Sequence, residues 1–260
     1  MKEKKCKEFA NGRVWLLETN DFPIEVTDTF LPYYTKDAIG RKQNLLKCNN
    51  YESRKERWMI GVSTMSGCLV HCKFCATGKL KKVYNLTAEE IVEQVKFVLD
   101  QNPDFNPKDS KEFKINYTRM GEPFLNINNV KKAIEMIDEM VPNTHHYIST
   151  IGIKGSDFSW IKNNITLQFS VHSFDEEYRN WLIPFKNKMT LEEMGRVQTE
   201  SNLKTTINMT IVREEDFNIE ELKRIFDKDK FFIKISPINP NDISETNGIN
   251  QGIIQQQNIS

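Results

Sequence analysis

Gly67-Cys68-Leu69-Val70-His71-Cys72-Lys73-Phe74-Cys75-Ala76-Thr77-Gly78 is the stretch that decides the fold class of this chain. Three cysteines stand in the spacing C-x3-C-x2-C, directly after a segment, Trp58 to Ser63, that reads as a strand. Thiolates this close on one loop can hold three irons of a [4Fe-4S] cube and leave the fourth iron open as a binding site. The same residues offer a second reading, a Cys3His zinc site completed by His71. Against zinc, His71 lies between two of the ligands, where simultaneous chelation is strained, and no second cysteine pair follows. A disulfide framework is the poorest reading, because the chain has five cysteines in 260 residues and three of them fall within eight positions.

Outward from the loop, strand-like and helix-like segments alternate. Thr87 and Glu90 form a capping box ahead of Ile91, Val95, Val98 and Leu99 on one helical face. Phe113 to Thr118 reads as a strand, Asn128 to Pro142 as a helix, and Tyr147 to Ile151 and Thr166 to Val171 as two more strands, with a short helical turn over Asp157 to Asn163. Asp175 caps a helix to about Leu182, Thr190 and Glu193 make a second capping box, and Asn218 opens a helix carrying Leu222, Ile225 and Phe226. Lys204 to Val212 and Phe231 to Ser236 are β-branched or aromatic strands. With Trp58 to Ser63 this gives six strands of βα type, hence an α/β class with a parallel sheet and too few strands to close an eightfold barrel.

Three segments follow: an irregular or β-rich N-terminal extension over 1–52, the α/β core over 53–240, and a polar tail over 241–260 expected to be loosely held. Within the extension, Val14 to Leu17, Phe22 to Val26 and Phe30 to Tyr34 look strand-like. Lys and Arg total 36 and Asp and Glu total 36, so no global field pulls the chain onto nucleic acid or an anionic membrane. No apolar run nears the roughly 18 residues of a membrane span, and the N-terminal Met-Lys-Glu-Lys-Lys leads into no signal-peptide core, so a cytoplasmic protein is expected.

Phe74 before the third cysteine completes the cysteine signature of radical S-adenosylmethionine (SAM) enzymes. With Asn85-Leu86-Thr87, Met120-Gly121-Glu122-Pro123, Leu125-Asn126, Ser149-Thr150, Ser170-Val171-His172, Arg179 with Ile183-Pro184, and Pro237 with Asn239-Pro240, the chain over about 57–240 resembles the RlmN/Cfr group of RNA-adenosine methylases. The resemblance implies a partial (β/α)6 barrel, a [4Fe-4S] cluster on Cys68, Cys72 and Cys75, and SAM on the open iron. Its SAM-binding residues would be Phe74, Gly121, Glu122, Ser149, Ser170, His172 and Asn239. An electron donor such as flavodoxin or ferredoxin is implied by the same chemistry.

Two departures bear on the reaction. The group uses a cysteine seven residues before the cluster, where this chain has Gly61, and a methyl-carrying cysteine after the Asn-Pro motif, whereas here no cysteine follows Cys75 and about 20 residues follow Pro240. Cys6 and Cys48 read as incidental thiols. The expectation is therefore a 5'-deoxyadenosyl radical that abstracts hydrogen from a substrate not methylated through a protein cysteine, with RNA or a nucleotide among the candidates. The alternatives are an RNA adenosine methyltransferase of the RlmN/Cfr type and a non-catalytic SAM or RNA sensor. Arg119, where the group has a small residue, reads either as an anion-binding group at the barrel mouth or as a strand-end arginine paired with surface acid. Lys73, Lys79, Lys81 and Lys82 form a basic run, a solvated face or a contact for phosphates. Trp15, Tyr33 and Tyr34 are read as core residues, with capping of the site as the alternative.

Overall fold

The computed structural model describes residues 1–30, 34–36, 42–44, 54–236, 238 and 240–249, with backbone alone at 34–36 and 42–44. The chain divides into two compact units, one made of Met1–Ser66, Tyr84–Met120 and Asn126–Tyr147, the other of Gly67–Val83, Gly121–Leu125 and Ile148–Ser260.

In the first unit the β-rich expectation resolves into an antiparallel meander, β1 (Lys2–Phe9), β2 (Gly12–Thr19) and β3 (Phe22–Phe30). The β2–β3 hairpin closes on Asn20 and Asp21 at φ of 47° and 64°, both left-handed, the conformation that two-residue turns need to match strand twist. Two short strands, β4 (Tyr34–Lys36) and β5 (Lys42–Asn44), pair with each other. β3 pairs antiparallel with β6 (Arg57–Val62), and β6 runs parallel to β9 (Glu112–Tyr117). Between them lie the two-residue strands β7 (Met65–Ser66) and β8 (Tyr84–Asn85) and helix α1 (Ala88–Asp100). Helix α2 (Ile127–Met140) packs on α1 and leads to β10 (His145–Thr150), the strand at which the two units divide.

Alternation along β2 buries Trp15 and Leu17 and leaves Leu16 outside. Trp15 meets Phe97 of α1 edge-on at 5.5 Å, so it is a core residue. Beneath the meander, Arg54 grips both carboxylate oxygens of Asp28 at 2.7 Å, and the Trp58 indole and Asn102 amide donate to the same carboxylate. Tyr33 lies outside the described residues, as does the Tyr34 side chain.

The second unit holds three parallel strands, β11 (Ile165–Ser170), β12 (Thr205–Met209) and β13 (Phe231–Ile235), with Ser170 opposite Asn208 and Met209 opposite Ile235. Helices α3 (Glu176–Leu182), α4 (Leu191–Gly195) and α5 (Ile219–Ile225) start at the caps expected from sequence, Asp175, Thr190 with Glu193, and Asn218.

Three expectations are corrected. Residues 157–163 form turns without a helix, because the Asp157 carboxylate accepts from the Ser159 amide and hydroxyl and competes with helical bonding. β12 stops at Met209 and not at Val212, because the Thr210 amide is taken by the His172 ring. Residues 241–249 are no loose tail: Asn241 caps α6 (Asp242–Thr246), and Ile249 is buried.

Candidate active site

The second unit carries the cysteine loop. Gly67 sits at φ 74°, and a Cβ there would stand 2.8 Å from the Lys82 carbonyl, so glycine alone fits the entry to the loop. Tight turns then set the triplet: the Cys75 amide donates to Cys72 and the Gly78 amide to Cys75. His71, exposed and at φ 54°, engages the Gly78 carbonyl through Nδ1 at 3.2 Å. The loop is fastened on two further sides. The Lys73 amide donates to the Leu182 carbonyl at the end of α3, at 2.9 Å. Asn241 and Asn247, flanking α6, donate to the carbonyls of Phe74 and Lys73 at 2.9 and 2.8 Å. Neither asparagine stood out in the sequence, since nothing local marks a contact made across more than 160 residues.

The three thiols are half-buried. Burial, reinforced by the neighbouring Glu122 and by one another, pushes Cys68 up to about 12 and Cys72 well above the usual thiol range. Such thiols ionise only against a strong local positive charge, which a metal centre provides. Among the described residues, no three or more His, Cys, Asp and Glu side chains converge closely enough for a single ion. Each thiolate of an iron–sulfur cube binds a different iron, so its ligands stand farther apart than those around one zinc. Three thiols on one loop are the donor chemistry that such a cube takes.

Gly121, at φ 104°, turns the chain after β9 so that Glu122 points inward. That carboxylate is 3% exposed, and among the described residues no cation pairs with it. It accepts from the Thr150 hydroxyl at 2.5 Å, the Ile151 amide at 2.9 Å and the Phe124 amide at 3.1 Å. Burial outweighs those three bonds and lifts its pKa to about 7. A buried carboxylate without a counter-charge is what an ammonium-bearing ligand would find favourable.

Strand ends supply the remaining groups. Ser149 and Ser170, at the ends of β10 and β11, lie 3.2 Å apart through their hydroxyls, and Gln168 donates to Ser149. His172 is buried at φ 65°, accepts the Thr210 amide on Nδ1, and meets the edge of the Phe74 ring at 5.0 Å. Burial, aided by the Arg179 charge, lowers its pKa to about 4 and keeps it neutral. Two non-glycine residues in left-handed backbone, His71 and His172, thus flank the loop and the strand end, a placement of strain common at binding sites. Thr150, the donor to Glu122, was quoted in the sequence only as part of Ser149-Thr150 and given no role at the site. Alternation along β10 turns it away from Ser149, which was the available signal. Asn239 and Cys48 lie outside the described residues.

In the first unit, Arg119 pairs with Glu25, its Nε donating at 2.8 Å, so the strand-end reading holds. Its aliphatic stem fills the space beside Gly61. A Cβ there would lie 2.3 Å from Thr27 Oγ1 and 2.8 Å from Arg119 Cδ, so a cysteine fits only if both side chains move. Cys6 is a half-buried thiol on β1.

Comparison with known proteins places this geometry. The Radical SAM superfamily pattern matches residues 62–227. The chain is 34% identical over 232 residues to the probable dual-specificity RNA methyltransferase RlmN of Chlorobium phaeobacteroides (strain BS1), covering 85% of this chain and 64% of that one. It is 33% identical over 193 residues to the corresponding protein of Pseudothermotoga lettingae, covering 68% and 54%. The chain therefore spans roughly half to two thirds of the length of these relatives. Among solved structures, a radical SAM methyltransferase from Sphaerobacter thermophilus superposes with a TM-score of 0.68 at 22% identity, over 92% of this chain and 67% of that one, which shows a shared α/β fold with parallel strands. Among the described residues no helix is long and apolar enough to cross a membrane. With its signature cysteines and the match across its core, this chain belongs to the radical SAM superfamily, whose enzymes work with a [4Fe-4S] cluster and SAM.

Proposed function

We propose that this chain cleaves SAM reductively and acts on RNA, transferring a methyl group to adenosine as an RlmN-type methyltransferase. Cys68, Cys72 and Cys75 hold three irons of the cluster. Glu122, with the Gly121 backbone, receives the SAM ammonium, and this buried carboxylate without a cationic partner is the observation that carries the reading. Phe74 and His172 form one wall of the cofactor site, and Ser149 and Ser170 offer hydroxyls to its sugar; the family resemblance adds Asn239 as a SAM-binding residue. When bound, the cluster supplies one electron to SAM, which yields methionine and a 5'-deoxyadenosyl radical. A flavodoxin or ferredoxin in the cytoplasm delivers that electron. Relatedness to RNA methyltransferases over 85% of the chain supports RNA as substrate.

A second reading is favoured by Gly61. Arg119 and Thr27 fill the space where the methylases carry a cysteine. Methyl transfer would then need another group in place of the thiol at Gly61, whereas hydrogen abstraction by the deoxyadenosyl radical needs none. Reconstituted protein incubated anaerobically with dithionite, RNA and methyl-labelled SAM separates the two. Label in RNA adenosine establishes the first reading, and 5'-deoxyadenosine without labelled RNA establishes the second. Neither product from protein with full iron and sulfide content refutes both.

A further inference from the structure

Arg213, Tyr178 and Trp181 form an ordered stack in the second unit. The Arg213 guanidinium lies over the Tyr178 ring, 3.5 Å from its centroid. Tyr178 in turn stacks on Trp181, three residues further along α3, with centroids 5.3 Å apart and 25° between the planes. Trp181 is 41% exposed. A lone exposed tryptophan would need no explanation, but one held in a fixed stack does. Two carboxylates lock the stack. Buried Asp216 accepts from Arg213 Nη2 at 2.9 Å and from Ser173 Oγ at 2.8 Å, and its second oxygen takes the Val212 and Arg213 amides. Asp175, the α3 cap, accepts from Arg213 Nη2 at 3.0 Å and from the Tyr178 amide at 3.1 Å. The same bonds tie the stack to the strand ends that carry His172. Ser173 follows His172 directly, the Phe174 amide donates to the Asp216 carbonyl at 3.0 Å, and the Thr210 amide after β12 donates to the His172 ring. At the far end of α3, the Leu182 carbonyl beside Trp181 takes the Lys73 amide of the cysteine loop.

We infer that Trp181, backed by Tyr178, is a stacking platform for an unpaired nucleobase of an RNA substrate, an inference that rests on the proposed action on RNA. Every base presents a π face, and aromatic side chains take bases that have left a duplex. Three features favour a base over other occupants. Arg213 is shared by two carboxylates, so the stack offers no free cation to a phosphate or to an acidic peptide. Glu176 and Glu177 lie exposed on the first turn of the same helix, so the surroundings are acidic and contact falls to the neutral ring faces. Trp181 is the one exposed large hydrophobic of α3, which suits a single planar ligand, whereas a stable protein interface takes roughly 800 Å² on each side. Rings already locked in place also lose little freedom when another ring is added to them.

The test is an anisotropy titration of reconstituted wild type, Trp181→Ala and Trp181→Phe with a labelled single-stranded oligoadenylate and with a blunt RNA duplex of equal length. Trp181→Ala should weaken oligoadenylate binding about tenfold, within the usual range for one stacked base, and leave duplex binding within a factor of about two. Trp181→Phe keeps a π face and should restore most of the affinity. The slope of log affinity against log salt should be the same in all three proteins, because no phosphate contact is removed. Oligoadenylate should quench tryptophan emission in wild type, and Trp181→Phe should bind it with that quenching largely lost, since Trp15 and Trp58 are buried and Trp160 is half-buried. Unchanged oligoadenylate affinity in Trp181→Ala overturns the inference and leaves the RNA reading standing. So does a slope that flattens by about 0.7, which would mark a phosphate contact, or quenching that persists in Trp181→Phe. Wild type that binds the duplex or bulk cellular RNA but not oligoadenylate likewise overturns the inference alone. Wild type that binds none of the three overturns the RNA reading, and this inference with it.

Discussion

Glu122 and His172 are two buried titratable groups of the second unit that burial moves in opposite senses. The Glu122 pKa rises from 4.5 to about 7, so the folded chain binds a proton that the unfolded chain has released, and this contribution is lost as pH rises from about 4.5 through 7. The His172 pKa falls from 6.5 to about 4, so its contribution is lost as pH falls from about 6.5 through 4. Each shift corresponds to about 3 kcal/mol, and over the shared window the two slopes nearly cancel. The two groups together should therefore add little net slope to the stability of metal-free wild type between pH 4.5 and 6.5, so the difference between wild type and Glu122→Gln in urea titrations isolates one of them. Glu122→Gln removes one slope, so the variant should lose about 3 kcal/mol on acidification across that range; a flat profile in the variant would refute the assignment. On the proposed role of Glu122 toward the SAM ammonium, SAM binding should strengthen as pH rises through about 7 in wild type and lose that dependence in Glu122→Gln. The cysteine loop and the turn that buries Glu122 were legible because both are written in local spacing. Thr150, Asn241 and Asn247 were not, because each acts through a partner distant in the chain.

At the level of elements, caps were the most readable signal. Thr87, Asp175, Thr190 and Asn218 each begin a helix as expected, because a side-chain oxygen that satisfies the first free amides works within a few residues. What a cap does beyond its own helix was hidden. Glu90 closes the α1 capping box and also accepts from Thr19, Asn20 and Tyr84, which ties α1 to the β2–β3 turn. Glu193 closes the α4 box with a distant Lys154 as its one further ion pair, at 3.9 Å. The same motif therefore carries different weights. Glu193→Ala should cost about 1 kcal/mol, the usual worth of a cap. Glu90→Ala leaves several part-buried donors unmet and should cost about 2–4 kcal/mol. Equal midpoint changes in parallel urea titrations would refute the wider role of Glu90. The meander was less legible than the helices: all but one residue of β1 is exposed, so no buried face imprinted an alternating pattern on its sequence. Turns such as 157–163 were misread for a related reason, since Asp157 starts helices and turns alike.

For the molecule as a whole, the charge balance of this sequence bears on the proposed action on RNA. Opposite charges are equal in number, so binding cannot draw on a general positive field and falls to local groups. The basic run beside the cluster loop supplies Lys73, Lys79, Lys81 and Lys82, of which Lys79 already faces Asp242 at 3.2 Å. On the proposed action on RNA this run offers three or four phosphate contacts, and for single-stranded RNA each contributes about −0.7 to the slope of log affinity against log salt. The expected slope is thus only about −2 to −3 in anisotropy titrations over a range of KCl, and Lys81→Glu with Lys82→Glu should flatten it further while iron content stays at the wild-type level. A slope of about −5 or steeper would mean that phosphates are held by groups outside this run. A shallow slope carries a consequence for selectivity: with little of the affinity coming from phosphates, discrimination among RNAs must come from shape and from unstacked bases reached at the site.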